Sequence, residues 1–151
     1  MQSFLISPAA VRDCRECARL LAEQLGEHGV KASTERLSDL LEAVVANTDR
    51  GLVLLARVDE RIVGVAYAAT ILSAEHGGLV TWLEELYVAP SHRSRGIGSA
   101  LLGEVIERAN EAGVVAVDLE VDARHSRAQS LYRRLGFRPL NRSRWVKELQ
   151  M

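Results

Sequence analysis

The stretch Val88-Ala89-Pro90-Ser91-His92-Arg93-Ser94-Arg95-Gly96-Ile97-Gly98-Ser99-Ala100-Leu101-Leu102 constrains this chain more than any other. It follows an apolar run, Leu79 to Val88, that reads as a strand. It then opens the spacing Leu101, Leu102, Val105, Ile106, Ala109, which predicts a helix from Gly96 to about Glu111. A strand that enters a helix through a glycine loop gathers free backbone N–H groups and the positive end of the helix dipole in one place. That place suits a phosphate. Gly96 and Gly98 let the main chain approach an anion without a Cβ between them, and Arg93 and Arg95 offer charge-assisted hydrogen bonds.

The flanking pattern supplies a frame for that junction. Gln2 to Ser7 reads as a strand, and Pro8 opens an expected helix to about Leu25 with Val11, Cys14, Ala18, Leu21 and Leu25 on one face. Ser33 or Thr34 caps a second helix carrying Leu37, Leu40, Leu41, Val44 and Val45, ended by Gly51. Leu52–Val58 and Ile62–Ala69 flank a tight turn and read as a hairpin; Glu75-His76-Gly77-Gly78 turns the chain into the strand Leu79–Val88. Val114 to Val121 is a nearly continuous apolar strand, as expected where both faces are covered. Ser126 to Leu135 is an amphipathic helix closed by Gly136, and Phe137 to Leu149 is expected to hold a final strand or two. The order is β-α-α-β-β-β-α-β-α-β-β. It predicts an α/β sandwich: a mixed, mostly antiparallel sheet of about six to seven strands flanked by about four helices.

The 151 residues, 48% of them hydrophobic, suit one domain over 1–151 with its own core. No run is apolar for long enough to span a bilayer, and Met1-Gln2-Ser3-Phe4-Leu5-Ile6 lacks the cationic start of a secretory signal. The expectation is a cytoplasmic protein without a membrane partner. A sequence pI near 6.4 and the lack of a basic, aromatic-interleaved stripe argue against nucleic acid. Charge is split: residues 1–92 carry 13 acidic and 8 basic side chains, and residues 93–151 carry 7 acidic and 11 basic. The second half therefore suits a polyanionic partner and the first a neutral or cationic one.

Cys14 and Cys17 form a C-x-x-C within the first helix; without a second ligand pair they read as core-lining thiols, and no metal site is expected. His28, His76 and His92 have no ligand spacing and read as surface or loop residues. No G-x-S-x-G occurs, which disfavours a serine hydrolase.

Among phosphate-binding motifs, the dinucleotide fingerprint would need glycine at Leu101, although Asp118 lies about twenty residues on, and a Walker loop would need a Gly-Lys pair that the chain lacks. What fits is R-x-x-G-x-G, Arg93 to Gly98. In that hexapeptide, set after a meander and before a helix, the chain resembles the GNAT superfamily of acetyltransferases. A second piece, His125-Ser126-Arg127-Ala128-Gln129-Ser130-Leu131-Tyr132-Arg133-Arg134-Leu135-Gly136-Phe137, is similar to the family's N-x-x-A-x-x-x-Y-x-x-x-G-F segment, with His125 where asparagine is common. The likeness runs from about Gln2 to Leu149; the N-terminal helices match only in kind.

The resemblance implies acetyl-CoA as co-substrate and direct transfer to a primary amine. It implies that the backbone of Leu86, Tyr87 and Val88 holds the pantetheine arm and acetyl carbonyl. Arg93, Ser94, Arg95, Gly96, Ile97, Gly98 and Ser99 would hold the pyrophosphate, with His125 and Ala128 beside the arm. It implies Glu84 as general base, with Glu85 or a water relay as alternatives, and Tyr132 at the departing sulfur. Glu84, Leu86 and Val88 share a face if the strand is regular, and a bulge would change that. As base, Glu84 would need burial beside Trp82 or a relay, because an ordinary glutamate near pKa 4.3 is a weak base.

The acidic first half favours a small cationic acceptor such as a polyamine, aminoglycoside or basic amino acid. A protein N-terminus or lysine, or a non-catalytic acyl-CoA-binding module, are the other readings. The family likeness also allows a homodimer through the C-terminal strand.

Overall fold

The computed structural model describes residues 3–150, so the expected strand start at Gln2 lies outside the described residues. The chain divides into two compact units, 1–120 and 121–151.

The first unit is built on a sheet. Strand β1 (Leu5–Pro8) leads to helix α1 (Cys14–Glu27) and helix α2 (Thr34–Ala46). Then come β2 (Gly51–Val58), β3 (Arg61–Ser73), β4 (Gly78–Val88), helix α3 (Ile97–Glu111) and β5 (Ala116–Leu119). The sheet order is β1-β2-β3-β4-β5; the first four strands are antiparallel and β5 runs parallel to β4.

Pro8 closes β1 rather than opening a helix, because the strand residue can use Pro's fixed φ at an edge while its missing N–H is not needed. The helical segment starts later, through a 3-10 turn at Val11–Asp13. There Asp13 accepts the Ala10 N–H at 2.8 Å and pairs with Arg57 of β2 at 2.5 Å. Ser33 caps α2, its side chain accepting the Arg36 N–H at 3.2 Å. The helix stops at Ala46, and Gly51 belongs to β2.

Both faces of the sheet are covered. Cys14, Cys17, Ala18, Leu20 and Leu21 of α1, with Leu41 and Val44 of α2, pack on Val53, Leu55, Val65 and Tyr87. Alternation turns Gly64 to the other face, where a Cβ would come within 3.1 Å of Leu101 Cδ1 and 3.3 Å of Ile97 Cγ2. A larger residue would push these α3 side chains back by a few tenths of an ångström, so glycine suits this close approach. The doubly buried strand is thus β2, whose eight residues are all buried or half-buried. The expected candidate, β5, is four residues long and half-buried throughout.

The site depends on an inequality between two ladders. β3 and β4 pair from Gly64↔Val88 to Ser73↔Gly78, whereas β4 and β5 pair only from Val80↔Ala116 to Leu83↔Leu119. β5 therefore leaves the outer edge of β4 from Glu84 to Val88 uncovered.

The second unit holds helix α4 (Ser126–Arg134). Among the described residues the sheet has five strands, not the expected six to seven, and residues 137–150 form no strand. That segment lacks a period-2 pattern. Trp145 and Val146 are adjacent, so an extended chain would send one to each face, and Arg138, Arg142, Arg144, Lys147 and Glu148 are interspersed. Trp145, Val146 and Leu149 are all exposed.

Candidate active site

A β-bulge shapes the middle of β4. The ladder steps from Tyr67↔Glu85 directly to Ala68↔Leu83, leaving Glu84 as the extra residue. Regular alternation would put Glu84 on the face of Leu86 and Val88; the slip gives that place to Leu83, which opposes Ala68 as Leu86 opposes Ala66. Glu85 opposes Tyr67, on the α1/α2 side, and is half-buried. Glu84 is exposed, so of burial beside Trp82 and a water relay only the relay is left to help it as a base. Its charge reaches Tyr67, whose hydroxyl pKa is pushed up first by burial and then by the Glu84 carboxylate.

Tyr67 also lines a pocket of about 490 Å³ formed by Leu40, Ala43 and Val44 of α2, Asp49 and Arg50 of the following loop, and Thr70 of β3. Glu85 pairs with Tyr67 in the ladder and the Glu84 charge reaches it, so both carboxylates neighbour one residue of a hollow whose own lining carries both charge signs.

The main chain of β4 is aimed by its pairing. Ala89 donates its N–H to the Val63 carbonyl at 2.8 Å, so alternation directs the N–H and C=O groups of Leu86 and Val88 away from β3, toward the edge β5 leaves uncovered. Two side chains already reach carbonyls there. Gln24 Nε2 donates to Leu86 O at 3.1 Å, and Arg93 Nε donates to Val88 O at 2.9 Å.

Tyr87 points into the core between α1 and the sheet. Its hydroxyl donates to Glu27 Oε1 at 3.1 Å, and its pKa is raised by burial first and then by Glu27. Arg93 stacks over the Tyr87 ring at 5.2 Å and approaches Glu27 Oε1 at 3.4 Å. The Arg93 side chain therefore braces the loop against α1 and β4.

The loop backbone keeps its expected form. Gly96, at φ +83, is the N-cap of α3 and offers no side-chain cap to the helix. The N–H groups of Ile97, Gly98 and Ser99 are the ones a helix leaves without intrahelical partners. A Cβ at Gly96 would meet nothing within 4 Å, and one at Gly98 only Val88 Cγ2 at 3.8 Å. This bare helix end, with open space before it, fits a phosphate. Ser94 adopts φ +64 and presents the loop's second left-handed turn. His92 pairs with Ser91 Oγ at 2.8 Å.

In the second unit, His125 Nδ1 accepts the Ala128 N–H at 3.3 Å and caps α4. Histidine thus performs there the capping role that an asparagine side chain would. Tyr132 packs edge-on against Phe137 with ring centroids 5.9 Å apart.

Several singled-out residues have structural roles. Cys14 and Cys17 are fully buried and free; burial raises both thiols, Cys17 to about 12. Asp118 pairs with His76 at 3.1 Å. Among the described residues no group of three or more potential ligands could hold a metal ion, and no helix is long and apolar enough to cross a membrane. Gln24, Glu27 and Tyr67 were not anticipated as site residues. For Gln24 a signal existed: it extends the apolar stripe Cys17, Leu20, Leu21 at helical spacing, where a polar side chain needs a reason.

Comparison with known proteins agrees with this geometry. The chain is 32% identical over 112 residues to an uncharacterized N-acetyltransferase of Mycobacterium tuberculosis, covering 74% of this chain and 69% of the relative. It is 33% identical over 76 residues to the D-amino-acid N-acetyltransferase HPA3 of Saccharomyces cerevisiae, covering 50% of this chain and 47% of that protein. A predicted acetyltransferase from Clostridium acetobutylicum, solved with acetyl-CoA, shares the fold at TM-score 0.81 and 17% identity, over 96% of each chain. Residues 15–137 match the family model described as acetyltransferase (GNAT) family, and the chain belongs to that family of acyltransferases.

Proposed function

We propose that this protein transfers an acetyl group from acetyl-CoA directly to the primary amine of a small cationic molecule, in the cytoplasm. The observation that carries this reading is the bare N-terminus of α3 next to the part of the β4 edge that β5 does not cover. The two features suit, respectively, a diphosphate and an extended amide-bearing arm. The two free, buried cysteines accord with a reducing compartment.

Bound acetyl-CoA would supply the activated acetyl thioester. The N–H groups of Ile97, Gly98 and Ser99, with Ser94 and Arg95 nearby in sequence, would hold phosphate oxygens. The outward N–H groups of Leu86 and Val88 would pair with the arm, and a fixed N–H there would stabilise negative charge developing on the acetyl oxygen. At pH 7 only about one alkylamine in 2,500 is neutral, given a pKa near 10.4. Glu84 is the base we assign to the remaining ammonium proton; as it is exposed, a water between it and the amine suits its position. Tyr132, by family likeness, returns a proton to the departing sulfur.

The pocket of about 490 Å³ by Tyr67 would take the body of the acceptor; Asp49 in its lining suits a positive charge and Arg50 an electronegative group, while Glu84 and Glu85 lie on the strand paired with that of Tyr67. The test is thiol release from acetyl-CoA across spermidine, kanamycin, lysine and a basic peptide. Turnover with a free amine supports the proposal; turnover with the peptide alone would replace it with protein acetylation. Coenzyme binding with no turnover in any arm would make the protein a binding module.

A further inference from the structure

Among the described residues, Gln24 Oε1 is the one buried side-chain polar atom left without a hydrogen-bond partner. The other end of the same amide is engaged: Nε2 donates to the Leu86 carbonyl. A glutamine in line with the buried Cys17, Leu20 and Leu21 of α1 gives up the packing a leucine would supply. An unpaired buried acceptor also costs about 1–3 kcal/mol. Both costs are offset if a donor arrives from outside the chain.

The position of that donor follows from Leu86. Its carbonyl points to the β4 edge that β5 leaves uncovered, two residues from the Glu84 bulge. Gln24 reaches this point from the α1 side, and its Oε1, on the same amide as the nitrogen bonded to Leu86 O, is buried beside that carbonyl. Both reactants of the proposed transfer carry N–H groups, the coenzyme's arm as amides and the acceptor as an amine.

We propose that Gln24 is a reactant-binding residue whose Oε1 accepts a hydrogen bond from an N–H of a molecule bound at the β4 edge. The inference rests on the acetyltransferase reading, and it adds a specific demand: the bound reactant must donate to α1, and not only to the strand.

Two substitutions separate this role from a purely structural clamp. Gln24→Met removes both donor and acceptor at similar volume, while Gln24→Glu keeps the acceptor and loses the donor to Leu86. Acetyl-CoA affinity is read by calorimetry, and kcat and KM are read with whichever of spermidine, kanamycin and lysine the native protein accepts. Gln24→Met should weaken one reactant by about five- to tenfold, the loss expected for one hydrogen bond. A change in acetyl-CoA affinity assigns the donor to the arm amide; a change in amine KM at unaltered acetyl-CoA affinity assigns it to the amine.

Gln24→Glu should stay within about twofold of the native affinity, although its carboxylate repels the Leu86 carbonyl and lowers stability. The proposal is overturned if Gln24→Met binds both reactants like the native protein, or if Gln24→Glu loses as much as Gln24→Met. A native protein that neither binds acetyl-CoA nor turns over an amine removes this inference together with the reading it rests on. An active native protein with an indifferent Gln24→Met removes the inference alone.

Discussion

The Tyr87 hydroxyl donates a hydrogen bond to Glu27, and the same carboxylate oxygen lies 3.4 Å from the guanidinium of Arg93, which stacks over the Tyr87 ring. One contact thus links α1, the core face of β4 and the first residue of the phosphate-loop motif. Tyr87→Phe should destabilise the protein by about 1 kcal/mol in urea unfolding, since it removes a hydrogen bond but keeps the ring. Arg93→Ala should lower stability and acetyl-CoA affinity together, because the guanidinium braces the loop. An unchanged unfolding midpoint for Arg93→Ala would contradict the bracing role.

Glu84→Gln should lower kcat by about a hundredfold or more while acetyl-CoA affinity is kept, as general-base loss at a strand bulge predicts. Glu85→Gln, at the Tyr67 pair, should cost much less. Steady-state rates with calorimetric affinities decide between them; the reverse order would move the base to Glu85.

Tyr132→Phe preserves the edge-on packing against Phe137 and removes only the hydroxyl. A coenzyme A thiol resembles cysteine, near pKa 8.5, so its thiolate leaves tolerably without help. The expected loss in kcat is therefore about tenfold, smaller than for Glu84→Gln. Native kcat in Tyr132→Phe would remove the assigned proton return.

Gly96→Ala and Gly98→Ala should part company. At φ +83 an alanine costs about 1–2 kcal/mol, and its Cβ enters the space before the α3 N-terminus, so both stability and acetyl-CoA affinity should fall. At Gly98, inside the helix, a Cβ finds only an ordinary contact with Val88, and helix propensity should raise stability by up to about 1 kcal/mol. Paired melting curves check this contrast.

Cys17 sets an alkaline limit. Burial lifts its thiol to about 12 from 9.0, so the folded state resists forming a thiolate that the unfolded chain forms readily. Its favourable contribution is fully present below about pH 9 and is lost as pH climbs toward about 12. Urea unfolding at pH 7, 9 and 10.5 should show stability falling over the upper interval, with a shallower fall in Cys17→Ala. Neither Cys17 nor Cys14 should react with a thiol reagent until the protein unfolds.

Sequence alone was enough for most elements governed by local spacing, though not for their ends at Pro8 and Gly51. The periodic leucines and valines of α2 and α3, the turn after Val58, a cap at Ser33 or Thr34 and the Arg93–Gly98 loop were legible because each depends on neighbours within one turn or one strand; the structure chose Ser33. Strand pairing is different, since register depends on a partner far away in the chain. The bulge that singles out Glu84 exists because Tyr67 and Ala68 oppose Glu85 and Leu83, and no periodicity within β4 encodes that slip. Gln24 carried a hint in its stripe, but its meaning appears only when α1 lies over Leu86, 62 residues on. The contacts of Arg93 with Tyr87 and Glu27 likewise appear only once α1 and β4 are folded beneath it. Phe137–Leu149 was expected as strand from its apolar residues, yet without alternation they select no single face and no ladder forms. Local periodicity decides which elements exist; long-range pairing decides which atoms of those elements meet.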